Sequence, residues 1–284
     1  MLNSPQDQIV EGGSTANQAG RDIIYNGLSV TEVRELCALF LKNNFPELQE
    51  EARRTAEEYV KAFALNLEAR LVNDAASIVL DKFKEPDVQA AINDAVQATA
   101  RKGAAANPAI LCTLISERVA QKSNSYKDIV ISEAVNVAPR VTAAQISLLS
   151  FVHFIKSVTI QNMPNTSALE PFGQQALIFS SPGFGLSESQ RQHLQYAGVA
   201  SVNNLLGGDI YETVYQASYK YLDHADGAAF KQSLISSAPS FAKLLDQFNS
   251  ENLFPINLTS VGQAIAIANI SNYLGKLDYT IWLK

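Results

Sequence analysis

Residues 142–158 read TAAQISLLSFVHFIKSV, and the reading of this stretch decides the fold class. Thr142 and Gln145 stand three apart, as in a capping box, where each side chain satisfies a backbone N–H that a helix start leaves orphaned. Val141 and Ile146 flank that box at hydrophobic-staple positions. The window from Ile146 to Ile160 is the most apolar in the chain, and it still contains His153 and Lys156. A membrane span needs about 20 apolar residues, so the spacing predicts a helix buried in a folded body and ending near Val158.

Upstream of this helix the same signals recur. Ser29 and Glu32 form another capping box, with Leu28 and Val33 at the staple positions. Val33, Leu36, Cys37 and Phe40 then follow at i, i+3, i+4, i+7, the stripe of an amphipathic helix. No Gly or Pro interrupts residues 47–84, where Ala56, Tyr59, Phe63, Leu67 and Leu71 recur at helical spacing. This run is either one long helix or two that break near Asn73-Asp74. Pro86 and Pro108 sit where first-turn prolines belong.

Downstream, residues 161–186 carry Pro164, Pro171, Gly173, Pro182, Gly183 and Gly185. They read as a junction loop in which Leu177-Ile178-Phe179 forms a short strand. Ser187 and Gln190 open the next helix, and Pro239 and Pro255 bound later pieces. At the end of the chain Leu277, Tyr279, Ile281 and Leu283 alternate, which predicts a strand. The expected organisation is a leader at 1–28, a helical domain at 29–160, the junction at 161–186 and a C-terminal helical subdomain at 187–284. The expected fold is mostly α, a multi-helix, bundle-like body with a short N-terminal β/turn segment and a minor C-terminal strand.

Composition narrows the function classes. The 284 residues are 47% hydrophobic and 18% charged, and Asp+Glu outnumber Lys+Arg by 28 to 22. Nucleic-acid binding draws on basic faces, and whole-chain charge supplies none. Two cysteines, Cys37 and Cys112, do not form a disulfide framework, so a reducing compartment is expected. The first residues, MLNSPQDQIVEGG, lack the basic start and apolar core of a signal peptide, and a cytoplasmic location is expected.

Chemistry-bearing patterns are sparse. His153, His193 and His224 are far apart and belong to no HxxxH, HExxH or CxxC pattern, so no metal or cofactor is expected. Cys37 lies on an apolar stripe and Cys112 beside Leu111, the positions of small buried hydrophobes. Pro182-Gly183-Phe184-Gly185 is read as a turn, since no Lys follows it as in a phosphate loop. Arg53-Arg54 is surrounded by Glu50, Glu51, Glu57 and Glu58, a solvated salt-bridge face. The set Asp209, Glu212, Asp223, His224 and Asp226 is the remaining candidate for acid–base or hydrolytic chemistry. Leu258-Thr259-x-x-Gly262-x-x-Ile265-Ala266 looks like a winged-helix strand-to-helix exit, which would imply DNA contact. Against that, residues 142–284 hold seven Lys and Arg to nine Asp and Glu, a net of −2.

Residues 1–28 are unlike the rest. Gly12, Gly13, Gly20 and Gly27 are interleaved with Ser14, Thr15, Asn17, Gln18 and Asn26, and the segment's apolar run is Ile23-Ile24-Tyr25. The string Gly13-Ser14-Thr15-Ala16-Asn17-Gln18-Ala19-Gly20-Arg21-Asp22-Ile23 resembles a short leader, Gly-x-Ser-x-x-x-Gln-Ala-Gly-Arg-Asp-Ile, of bacterial proteins linked to anti-phage and other conflict systems. The body resembles an uncharacterised bacterial family known by locus names. That likeness rests on Gly27-Leu28-Ser29 with Val33-Arg34-Glu35-Leu36, on Leu258 to Asn269 and on Ile281-Trp282. The family brings no established catalytic residues. Asn and Gln can ladder between identical copies and an Ile-Ile-Tyr seam can seal them, so Asn17, Gln18, Arg21, Asp22, Ile23, Ile24 and Tyr25 are the candidate association residues.

The leading expectation is therefore a non-enzymatic sensor, adaptor or assembly protein of bacterial defence, partnered by itself and by another protein and not by a membrane. The second is an effector enzyme, a nuclease or nucleotide hydrolase, using the Asp209–Asp226 set. The third is a DNA-binding protein with a winged-helix-like element.

Overall fold

The computed structural model describes residues 29, 31, 32, 34, 35, 46–121 and 124–284. The leader, with its association residues, and the Val33–Phe40 stripe lie outside the described residues. The chain divides into two units, residues 1–54 and 55–284. In the first, the Ser29 box forms in both directions. The Ser29 N–H donates to Glu32 Oε2 at 2.6 Å, and the Glu32 N–H donates to Ser29 Oγ at 3.2 Å. Arg53 pairs with Glu50 at 2.6 Å, both exposed, as the salt-bridge face requires.

Eleven α-helices are described, and the described sheet has two strands. Helix α1 spans Pro46–Asn73 and crosses the unit boundary. It ends where a break was one of two readings, and 3-10 turns at Ala75–Ser77 and Leu80–Lys84 follow. Helices α2 (Pro86–Lys102), α3 (Pro108–Arg118) and α4 (Ser125–Val137) come next, the first two opening on their prolines.

The centre of the second unit is α5, Ala143–Ser157, whose eleven residues from Gln145 to Ile155 are all buried. Its predicted capping box is present in both halves. Helix α11 (Ser260–Leu274) lies along it, joined by an Asn269-to-Ser150 hydrogen bond of 2.8 Å. Aromatic rings fill the other flank. Phe154 meets Phe179 and Phe241 edge-on, and Phe151 meets Phe184 and Phe248.

Residues 161–186 are not a loop between domains. They hold α6, Glu170–Ser180, flanked by 3-10 turns, inside the single unit 55–284. Pro171 occupies the first helical turn, where its missing N–H costs nothing. Leu177-Ile178-Phe179 is helical because Ala176 and Phe179, three apart, both enter the core while Ile178 faces solvent. Gly183 lies against α5, and a β-carbon there would stand 2.4 Å from the Leu148 nitrogen.

The remaining helices are α7 (Glu188–Tyr196), α8 (Ile210–Val214), α9 (Gly227–Ser237) and α10 (Pro239–Ser250). The predicted Ser187–Gln190 box caps α7. A five-residue π-helical segment, Tyr215–Tyr219, continues α8. The described strands are β1 (Ala200–Val202) and β2 (Ile256–Leu258), antiparallel. The expected terminal strand does not form. Asp278 accepts the Thr280 N–H and starts a 3-10 turn, which buries Tyr279 and Leu283 on one side and exposes Ile281.

His153 has a cost attached. It is buried in α5 against Trp282, ring centroids 5.1 Å apart, and neither ring nitrogen has a hydrogen-bond partner. Burial lowers its pKa to about 4. An ordinary histidine titrates near 6.5, so the unfolded chain binds the proton first. Stability is complete above that pH and falls as acid is added, by about 2 kcal/mol between pH 7.5 and 5. Urea midpoints across that range should show the loss, and His153→Phe should remove it. An unchanged slope in the variant would assign the effect to other groups.

Candidate functional site

Four of the five side chains of the sequence-derived set take structural posts, and the fifth residue, Asp223, closes a turn with its backbone. Asp209 caps α8, accepting the Tyr211 N–H at 2.8 Å. Glu212, one turn on, accepts the Gly227 N–H at 2.6 Å and the Gln216 amide at 2.9 Å. Asp226 accepts the Ala229 N–H at 2.8 Å. Glu212 and Asp226 thus meet at the start of α9, where orphan N–H groups and the helix dipole favour negative charge. Gly227 permits the approach, since a β-carbon there would lie 2.5 Å from the Glu212 Cα.

Asp223 closes the 3-10 turn Lys220–Leu222 in the left-handed region, φ 58°. The His224 carbonyl accepts the Tyr215 hydroxyl, and its ring packs near Tyr215 and Phe230 at 6.0 and 5.6 Å. The structure therefore brings Glu212 and Asp226 together as helix caps and sets His224 among aromatics. Among the described residues no group of three or more His, Cys, Asp or Glu side chains is placed to hold a metal ion. Cys112 is buried and its thiol is pushed up to about 12 by that burial, which suppresses the nucleophilic thiolate.

Two concave surfaces stand out instead. One is a cleft of about 490 Å³ between the end of α1, the end of α3 and the C-terminal segment, lined by Asp74, Ser77, Glu117, Lys276 and Asp278 together with the apolar Leu277. Its carboxylates are largely committed. Asp74 accepts from Arg70 at 2.9 Å and Ser116 at 2.6 Å, and Glu117 accepts from Lys127 at 2.7 Å. The other is an apolar groove of about 660 Å³ between the C-terminal half of α1 and the turns after it. Leu67, Leu71, Val72, Ile78, Leu80 and Phe83 line it. Val72 and Leu80 are 67% and 79% exposed.

The groove continues onto a second stripe of α1. Phe63 turns inward to the core, whereas Ala62, Leu65, Ala69 and Val72, at i, i+3, i+7, i+10, face outward and are exposed. A helix that is apolar on more than one face ordinarily has neighbours on more than one face. The outward stripe has helical spacing in the sequence, just as the inward stripe through Tyr59, Phe63 and Leu67 does.

The fold defines a mostly α-helical protein with a minimal two-stranded sheet among its described residues, and no described helix is long and apolar enough to cross a membrane. The chain belongs to an uncharacterised family named by locus, whose model matches residues 27–226 and 221–283. The match takes in Gly27-Leu28-Ser29, Leu258 to Asn269 and Ile281-Trp282, and it begins after the Gln-Ala-Gly-Arg-Asp-Ile string. No curated protein and no solved structure matches the chain.

Proposed function

We propose that this is a non-enzymatic interaction protein, a sensor, adaptor or assembly component of bacterial anti-phage defence. In this reading α1 and its groove engage a partner protein, and the Gly/Asn/Gln-rich leader associates copies of the chain in the cytoplasm. The observation that carries it is the outward apolar face of α1 beside an open apolar groove, because exposed contiguous apolar surface marks interaction sites. The posts taken by Asp209, Glu212, Asp226 and His224 add weight, since capping and packing account for them without a reaction. The charge of residues 142–284 does not favour the DNA-binding reading, because four of their seven cations, Lys156, Arg191, Lys231 and Lys276, spend their charge on protein acceptors.

The test combines light scattering with phage challenge. The full chain should run larger than a monomer, and residues 29–284 should run closer to one. Leu65→Glu/Val72→Glu changes two exposed side chains, so its melting temperature should stay within a few degrees of the parent. The same variant should lose most of the protection against phage plating that the full chain confers in bacteria. Monomers throughout, with protection absent or unaffected, would sink the proposal.

A further inference from the structure

The two strands differ in how their outer edges are finished. The register pairs Ala200 with Leu258, Ser201 with Asn257 and Val202 with Ile256. The Thr259 N–H donates to the Val199 carbonyl, and the Asn203 N–H donates to the Pro255 carbonyl. Antiparallel hydrogen-bonded pairs alternate, so 199, 201 and 203 face β2, while Ala200 and Val202 turn their N–H and C=O outward. On β2 the outward groups around Ile256, opposite Val202, are closed. Lys156 Nζ donates to the Phe254 and Ile256 carbonyls at 2.7 and 2.8 Å, and the Ile256 N–H donates to the Leu253 carbonyl. On β1 neither Ala200 nor Val202 makes a further hydrogen bond on that side. Ala200 is shielded, but Val202 is exposed.

We propose that the outer edge of β1 docks an extended, apolar segment of a partner polypeptide, which adds as a third strand through the backbone of Val202. The occupant follows from the chemistry. A paired N–H and C=O in strand geometry is matched by another extended chain, the mode of β-strand addition. Residues 197–208 contain no charged side chain, which disfavours a nucleic acid or an ionic ligand. Native edges are commonly guarded by Lys, Pro or a bulge, and β1 carries neither Lys nor Pro. Leu205, 94% exposed, and the exposed Leu206 and Tyr196 supply apolar contacts beside so short a strand. The template is also held firmly. Gly262 lies directly under the Val199 carbonyl, and the Thr259 hydroxyl donates to the Gly198 carbonyl at 2.7 Å. This surface lies on a different element from α1 and stands or falls separately.

The test pans the full chain on phage-displayed random octapeptides. Selected peptides should carry β-branched or aromatic residues at alternate positions. Val202→Pro deletes an N–H that points away from β2, so the β1–β2 ladder survives, and binding of the selected peptides should weaken about tenfold or more. Val202→Thr should bind as the parent does. Leu205→Asp, at a side chain too exposed to affect folding, should also weaken binding. Failure to select any peptide, or equal binding by Val202→Pro and Leu205→Asp, overturns the proposal. So does a dimer in light scattering that Val202→Pro dissolves, because a second copy would then be the occupant.

Discussion

Lys127→Met should cost about 3 to 5 kcal/mol of folding stability, read from urea or thermal unfolding. Lys127 lies in the first turn of α4 with its side chain 0% exposed, and its ammonium donates to Glu117 Oε1 at 2.7 Å; the Glu117 side chain is 7% exposed. Taking both charges out of water is expensive, and the pair offsets that expense only while both members are present. Methionine fills the volume but leaves the buried Glu117 carboxyl group without its nearest partner, the remaining cation, Lys276, being 3.9 Å away. The neighbouring residues repeat the arrangement with signs exchanged. Arg118 at the end of α3 reaches Asp128 at 3.5 Å, and Glu85 and Asp87 at 3.0 and 3.1 Å. Two adjacent residues of α3 thus hold two adjacent residues of α4, which fixes the rotation of one helix against the other. Lys127→Met/Glu117→Leu should recover most of the loss, since an apolar pair has no desolvation cost to offset. A single variant within about 1 kcal/mol of the parent would mean that Glu117 reaches water, and the cleft would then be wetter than its geometry indicates.

The parts of the fold that could be read in the sequence are those whose signals are local. The Ser29, Thr142 and Ser187 boxes close within three residues, and the structure forms all of them. The helix starts at Pro86 and Pro108 depend on the proline ring alone. Short apolar runs lack such a signal. Leu177-Ile178-Phe179 is as compatible with a strand as with a helix until Phe154 and Tyr273 are known to await Phe179 from elsewhere in the chain. Leu277 to Leu283 alternates like a strand, yet among the described residues no strand pairs with it, and the Asp278 turn takes over.

The same distinction governs the candidate site. His224 between two aspartates has the look of an oriented base. What decides its role is the Glu212-to-Gly227 contact, which joins residues fifteen apart that no pattern connects. The outward stripe of α1 was legible as spacing, but nothing local says that it faces solvent; that follows from Phe63 and Leu67 having taken the core side.

Gly262→Ala should cost about 3 kcal/mol, at the upper end of what overpacking usually exacts. Gly262 sits in the first turn of α11, where its N–H donates to the Thr259 hydroxyl at 3.1 Å. A β-carbon there would stand 1.8 Å from the Val199 carbonyl oxygen, a backbone atom already engaged by the Thr259 N–H. Neither side can yield alone. Moving Val199 pulls on β1, and moving α11 lifts Ala264 to Ala268, all fully buried, away from the core around α5. Gly207→Ala is the control, since nothing stands within 4 Å of its position and it should leave the urea midpoint nearly unchanged. Equal effects at the two glycines would show that α11 does not approach Val199 so closely. The contact also explains the Leu258-Thr259-x-x-Gly262 signature without reference to DNA. Thr259 ties the helix start to Gly198 and Val199, and the glycine lets the two backbones touch. A signature that resembles a nucleic-acid element is here a packing device that holds β1 in place, so Gly262→Ala should weaken peptide capture at Val202 as well as stability. Gly207→Ala should change neither.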